Sequence, residues 1–350
     1  MNIKIGNIKI TRNSLPFVIG EVGINHNGEI KNALKMIDIA KNAGLNAIKF
    51  QTFKADEFIS DKKLKYTYFS QGEKNTESMF EMFKRYELSN EDWKKIKKKC
   101  DEKKILFLST PQNKSDLEIL LDLGISAIKV GSDDFTNIPL IKEFTSTKLP
   151  LILSCGMANL SEIHTTLKLI GTFDGYPTIL LHTTSQYPTP KIDTNLLKIK
   201  TLQKIFSDIP IGFSDHTKDP LASSIAVALG AVVFEKHFTL DNNLPGPDHW
   251  FSENPQSLKK WIDSIKDAFV LLGKPELEPT KEELKMKKIA RRSIIASKNI
   301  KKNEKFTKKN LGFSRPGTGI EPSMYERILG LKSTREIRKN ENIRFGDFVQ

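Results

Sequence analysis

The 350-residue chain contains no run approaching the roughly 20 consecutive apolar residues that a membrane helix requires, so no membrane partner is expected. Its opening, MNIKIGNIKI, has neither the apolar core nor the cleavage signal of an export peptide, and the expected location is cytoplasmic. Cysteine is scarce: Cys100 and Cys155 stand alone, with no CxxC or mixed Cys/His spacing. This argues against a disulfide framework and against structural zinc. No GxGxxG follows the first strand-like run, so a dinucleotide-binding sheet lacks its signature. The C-terminal part is poor in aromatic side chains on which bases could stack, and nucleic acid is not an expected partner.

The residues that are present describe a globular protein, 38% hydrophobic and 28% charged, long enough for a full core and more than one domain. The net charge of +13 is uneven, because residues 291–350 hold 15 Lys+Arg against 6 Asp+Glu and so account for +9. A basic module closes the chain, suited to an anionic substrate or an acidic partner surface. Upstream, eight short β-rich runs alternate with helical ones: FVIGE (17–21), AIKFQ (47–51), ILFLST (105–110), AIKVGS (127–132), LILSCG (151–156), TILLHT (178–183), IGFSDH (211–216) and VVFEKH (232–237). Segments 30–44, 91–103 and 220–230 carry apolar residues at three- and four-residue spacing. Eight strand-helix units in about 270 residues predict an α/β fold, a (β/α)8 TIM barrel.

In such a barrel the strand ends converge on the face where active sites lie. Here those ends carry Glu21, Lys49 with Gln51, Ser109 with Thr110, Lys129 with Ser132, Ser154, His182, Ser214-Asp215-His216 and Glu235-Lys236-His237. One strand-end histidine is commonly structural. Two on adjacent strands, His216 and His237, can aim at one ion. Neutral imidazoles with open positions suit Mn, Fe, Co or Zn better than Mg. Lys49 and Lys129, among the hydroxyls of Thr110, Ser132, Ser154 and Ser214, suit a phosphate or carboxylate ligand.

EVGINHNG (21–28), IKFQT (48–52), LSTP (108–111), KVGS (129–132), HTTSQYPTP (182–190), GFSDHT (212–217), EKHFTL (235–240) and PGPDH (245–249) resemble the ordered motifs of bacterial sialic acid synthases. RRSIIASKNIKKNEKFTKKNLGFSRPGTGI (291–320) is similar to the antifreeze-like (SAF) domain that follows the barrel in that family. The resemblance implies a barrel over 1–272, with an N-terminal hairpin in 1–10, a linker over 273–290 and an antifreeze-like domain over 291–350. It implies a transferase that condenses phosphoenolpyruvate with an N-acyl amino-sugar aldehyde and water, releasing phosphate by C–O cleavage. N-acetylmannosamine is the expected sugar; the alternative is 2,4-diacetamido-2,4,6-trideoxymannose, as in legionaminic acid synthases. By the same resemblance Glu21 is the acid/base; Lys49, Thr110, Lys129, Ser132, Ser154, Ser185 and Ser214 bind phosphoenolpyruvate; and Gln51, Asp134, Tyr187, Asp248 and Arg315 contact the sugar. His216 and His237 would hold a divalent metal, manganese ahead of magnesium or cobalt. A homodimer is implied in which each antifreeze-like domain covers its partner's barrel mouth.

Two positions depart from the family pattern. Asp134 stands where relatives often have Glu, and Ser185 where they often have Asn, and both bear on sugar identity. In the 60–80 region Lys74 and Asn75 are both candidates for a further sugar contact. A metal-dependent aldolase or hydrolase would use the two histidines but leave Lys49, Lys129 and Arg315 without a role. A binding module that grips nucleic acid or ice ranks last.

Overall fold

The computed structural model describes residues 3–11 and 14–349; the expected hairpin's residues 1 and 2 and the expected last residue of the C-terminal domain, 350, lie outside them. Eight strands form one parallel sheet: β1 (Phe17–Gly23), β2 (Ala47–Thr52), β3 (Leu106–Pro111), β4 (Ile128–Val130), β5 (Leu151–Ser154), β6 (Thr178–Thr183), β7 (Ile211–Ser214) and β8 (Val233–His237). The hydrogen-bonded order runs β3-β2-β1-β8-β7-β6-β5-β4, and β3 and β4 come side by side to make a near-closed barrel. Eight helices pack outside it: α1 (Ile30–Ala43), α2 (Asn90–Lys103), α3 (Lys114–Asp122), α4 (Ile138–Ser146), α5 (Leu160–Leu169), α6 (Leu197–Ile205), α7 (Leu221–Ala228) and α8 (Pro255–Leu272). The barrel expectation holds, and every predicted strand lies within two residues of an observed one at each end. No helix among the described residues is long and apolar enough to cross a membrane.

Successive strand residues point to opposite faces, and here that alternation separates scaffold from site. Val18, Ile48, Phe107, Ile128, Leu153, Leu180, Phe213 and Phe234 belong to the larger core, packed with buried residues of the helices such as Ala33, Ile37, Leu120, Leu167, Leu202 and Ile262. Phe17, Ile19, Ala47, Leu108, Ile152, Ile179, Leu181 and Val233 form a second buried cluster inside the barrel. Isoleucines 3, 5 and 10 of a short antiparallel hairpin (Ile3–Ile5 with Ile8–Ile10) join that cluster and plug the N-terminal end. The inner wall is therefore apolar below, and continuing each strand by two residues reaches Glu21, Lys49, Thr110, Ser154, Thr183 and Glu235 above. Close packing here requires one residue without a side chain. A Cβ on Gly212 would sit 2.4 Å from both Leu181 Cδ2 and the Val233 carbonyl oxygen.

Between β2 and α2 the chain inserts a short helix (Ala55–Phe58), an antiparallel hairpin (Lys65–Ser70 with Glu73–Ser78) and a further helix (Met79–Tyr86). Phe53, Phe58 and Phe83 pack edge to face with centroids 5.0–5.7 Å apart, giving the insertion an aromatic core of its own.

The chain divides into two compact units, Met1–Gly273 and Lys274–Gln350. The second begins with the stretch expected as a linker, which contains a helix, Lys281–Ala290, capped by Thr280. Strand Ser293–Ala296 then pairs antiparallel with Leu311–Ser314 over a core of Ile294, Ile300, Phe306, Ile320, Ile328, Ile337 and Ile343. Arg315 is exposed just after that pair.

Candidate active site

At the C-terminal end of the barrel lies a cavity of about 400 Å³. Its floor carries two lysines between two carboxylates. Lys49 Nζ is 2.9 Å from Glu21 Oε1 and 3.6 Å from Glu235 Oε1, and it donates to Thr110 Oγ1 at 3.2 Å. Lys129 Nζ donates to Ser154 Oγ at 2.8 Å and lies 3.9 Å from Glu235 Oε1. Gln51 Nε2 donates to Glu21 Oε1 at 3.0 Å. All four charged groups are buried.

Their environments push the two carboxylates apart. Burial raises Glu21 above the ordinary range against the pull of Lys49, with Glu235 adding to the rise. Glu235 is equally desolvated, but Lys129 and Lys49 together hold it below the usual value. Glu235 is the fixed anion, whereas Glu21 can hold and release a proton, the arrangement general acid/base chemistry needs. Burial lowers Lys129, against the pull of Glu235 and with Lys49 adding to the fall, so an incoming anion would favour its charged form. Glu21 Oε2, Glu235 Oε2 and Ser185 Oγ are buried without a hydrogen-bond partner. Gly156 donates its N–H to Ser132 Oγ at 3.1 Å, and a Cβ on it would fall 2.4 Å from Ser185 Oγ and 2.7 Å from Ser132 Oγ. Only glycine leaves this hydroxyl cradle open.

Beside the lysines stand the two histidines, their ring centroids 5.7 Å apart. His216 Nδ1 donates to the Thr184 carbonyl oxygen at 2.8 Å, which leaves Nε2 with its lone pair. His237 Nδ1 is buried without a hydrogen-bond partner, 4.0 Å from Asp248 Oδ2. Burial lowers His216 to about 4 and His237 well below the ordinary imidazole range, so both rings are neutral. Two neutral imidazoles, His216 with Nε2 touched only by Ser214 Oγ at 3.5 Å and His237 with Nδ1 unpartnered, fit a divalent cation. No group of three or more His, Cys, Asp or Glu among the described residues is arranged to hold one, so its other positions would belong to water and substrate.

The model of the NeuB family matches residues 36–276, and that of the SAF domain residues 291–349. The N,N'-diacetyllegionaminic acid synthase of Legionella pneumophila is 38% identical over 94% of this chain and 94% of its own length. Its counterpart in Campylobacter jejuni is 39% identical over 93% of this chain and 98% of its own. The chain belongs to the NeuB family. A crystal structure of N-acetylneuraminic acid synthetase from Leptospira borgpetersenii, 36% identical, superposes with a TM-score of 0.73 over 82% of this chain and 95% of that one. Like the family, this chain is a phosphoenolpyruvate-condensing synthase, a transferase that makes a nonulosonic acid.

In this NeuB-family barrel, Glu21, Lys49, Gln51, Thr110, Lys129, Ser132, Ser154, Ser185, Tyr187, Ser214, His216, His237 and Asp248 all line one cavity. Tyr187 lies against His216, with centroids 4.1 Å apart. Burial, and after it Glu21, raises Asp248 to about 7. Asp134 does not line the cavity; Asp133 does. The Asp134 carboxylate turns to the start of α4, where Asn137 Nδ2 donates to Oδ1 at 2.9 Å. Lys74 and Asn75, on the second strand of the insertion hairpin, do not line the cavity either; from the insertion Phe58, Tyr66, Met79, Met82 and Phe83 do. Arg315 belongs to the second unit.

Strand parity sorts the remaining strand-end residues. Ser109 bonds Thr52 at 2.8 Å, and His182 Nε2 lies 2.8 Å from the Thr194 carbonyl oxygen. Both are structural. Glu235, whose role in the site sequence reading left unassigned, shares the inward face of β8 with His237 two residues on. That two-residue spacing was the available clue.

Proposed function

We propose that this chain condenses phosphoenolpyruvate with 2,4-diacetamido-2,4,6-trideoxymannose, yielding N,N'-diacetyllegionaminic acid and phosphate. The observation that carries the condensation is the pair Lys49 and Lys129 set beside two neutral imidazoles on one buried floor. The choice of sugar is supported by a cavity wall of Ile24, Phe58, Met79, Met82 and Phe83, whose apolar surface suits a C6 methyl better than the C6 hydroxyl of N-acetylmannosamine. The Legionella and Campylobacter relatives support the same choice over N-acetylmannosamine, the sugar expected from sequence. The Leptospira structure favours N-acetylmannosamine as the second reading.

His216 and His237 would hold a divalent cation, manganese ahead of magnesium or cobalt, and when bound it supplies a Lewis acid for the sugar aldehyde. Lys49, Lys129, Thr110, Ser132, Ser154, Ser185 and Ser214 hold the phosphate and carboxylate of phosphoenolpyruvate. Gln51, Tyr187 and Asp248 orient the sugar. C3 of phosphoenolpyruvate bonds to the aldehyde carbon, whose oxygen takes a proton and becomes a hydroxyl. Water adds at C2 and gives up a proton. The tetrahedral carbon then breaks its bond to the phosphate oxygen, leaving a ketone as the departing phosphate takes the hydroxyl proton. Glu21, with its raised proton affinity, passes the proton of the water to the new alkoxide.

We also propose a homodimer in which residues 291–350 cover the partner's mouth and Arg315 meets the sugar's N-acyl group. The +9 charge of this segment suits a cap over a site filled with anions. Steady-state kinetics with each aldehyde at saturating phosphoenolpyruvate test the substrate. The diacetamido sugar should exceed N-acetylmannosamine in kcat/KM by at least about tenfold, the scale on which a pocket separates small apolar groups. Equal or reversed values overturn the choice of sugar.

A further inference from the structure

On β8 the side chain between Glu235 and His237 points away from the cavity. Lys236 is buried behind the barrel wall, its Nζ 3.1 Å from Asp215 Oδ2 and 3.7 Å from Glu253 Oε1, and it donates to the Thr217 carbonyl oxygen. Asp215 Oδ1 accepts from Thr217 N at 2.8 Å and from Thr217 Oγ1 at 2.7 Å. Its Oδ2 accepts from Ser223 Oγ at 2.6 Å, and Ser223 Oγ in turn accepts from Trp261 Nε1 at 2.8 Å. Glu253 donates its backbone N–H to the His237 carbonyl oxygen at 2.9 Å, and its own carbonyl accepts from Thr239 N at 2.8 Å. None of Asp215, Lys236 and Glu253 lines the cavity.

What this network grips is specific. Asp215 and Thr217 are the two chain neighbours of His216; Lys236 precedes His237, and Glu253 holds the His237 carbonyl. The Lys236 ammonium reaches both halves, the Asp215 carboxylate and Thr217 carbonyl beside His216 and the Glu253 carboxylate beside His237. For stability alone, apolar residues of the same volume would serve as well as a buried ion cluster, and often better. A cluster placed at the backbone on both sides of two ligand-bearing residues has a different use, because metal ligands must be held to within about 0.5 Å. We propose that Lys236, with Asp215 and Glu253, is a positioning group that fixes the separation of the His216 and His237 imidazoles. This rests on the reading that those two rings share a metal.

The test is a Mn²⁺ titration of the full-length protein followed by electron paramagnetic resonance, comparing wild type, His216→Ala and the double variant Lys236→Met/Glu253→Gln. The double variant removes one positive and one negative charge together and leaves Asp215 its three hydroxyl and amide donors. Its Mn²⁺ affinity should fall about 10- to 100-fold, as losses behind metal ligands do, while KM for phosphoenolpyruvate at saturating Mn²⁺ stays within about twofold. Wild-type affinity in the double variant, even with a lowered melting temperature, would make the cluster merely structural and overturn the inference alone. A wild-type chain that takes up no more Mn²⁺ than His216→Ala overturns both the inference and the reading beneath it. Should the double variant fail to fold, Glu253→Gln is read in its place: a loss of about threefold or more supports the inference, and no loss rejects it.

Discussion

Glu21 and Glu235 lie on neighbouring strands, share Lys49, and end with opposite proton affinities. Only Lys49 and Gln51 offset the burial of Glu21, whereas Glu235 sits between two ammonium groups. This asymmetry supports the proton chemistry proposed for Glu21 and fits Glu235 as the anion that faces both lysines. Glu21→Gln keeps the shape and removes the proton acceptor. Turnover should fall at least about a hundredfold, the usual worth of a positioned acid/base, with phosphoenolpyruvate binding retained. Isothermal titration beside initial rates separates the two effects, and near-native turnover would leave Glu21 a strand-end ion pair. The identities of the inward residues were legible in the sequence because parity is fixed once a strand is placed. Asp133 and Asp134 were not separable, since they follow β4 in a turn where neither parity nor helical period sets direction.

The eight strands and the helices between them follow from apolar spacing, and the structure departs from that reading only at their ends. The insertion at 53–86 is different. It has no counterpart in the βα repeat, and although Met79, Met82 and Phe83 stand at helical i, i+3, i+4 spacing, that spacing alone does not tell a cavity wall from an ordinary core stripe. Its hairpin and the 239–253 loop close on each other, Gly246 N donating to Ser70 Oγ at 2.9 Å and Phe69 packing on Trp250. That loop is tied in turn to the loop after β1. His249 Nε2 meets Asn27 Oδ1 at 2.9 Å, and Asn27 Nδ2 donates to the Pro245 carbonyl oxygen at 3.0 Å. Burial lowers His249 and the neighbouring His26 each to about 4. Both imidazoles therefore stay neutral in the fold between about pH 6.5 and 4, while in the unfolded chain they take up protons. Their contribution to stability is complete above about 6.5 and is lost as the pH falls toward 4. Carboxyls raised in the fold, such as Asp248, tilt the profile the other way, so the informative quantity is a difference. Chemical denaturation at pH 7 and pH 5 should show the wild type losing more stability than His26→Gln/His249→Gln on acidification. Equal losses would mean that these rings do not titrate as described.

The two units divide the labour that the charge distribution suggests, a barrel that binds anions and a basic C-terminal unit proposed to cover the site of a second copy. Arg315→Ala chains mixed with Glu21→Gln chains test the exchange. If Arg315 acts across a dimer, one site in each mixed dimer carries both lesions and the other carries neither, so activity partly returns on mixing. Verified mixed dimers that stay inactive would place Arg315 over its own barrel or outside the mechanism. The Lys49–Lys129 floor is proposed to hold phosphoenolpyruvate while carbon attacks carbon and the C–O bond to phosphate breaks. Phosphoenolpyruvate labelled with ¹⁸O at the bridging oxygen, turned over with the diacetamido sugar and Mn²⁺, tests it most directly. The label should leave entirely in the inorganic phosphate, detected by its isotope shift in ³¹P resonance, with one phosphate formed for each nine-carbon product. Label retained in the organic product, or phosphate formed without the sugar, would mean cleavage at phosphorus and would contradict the account.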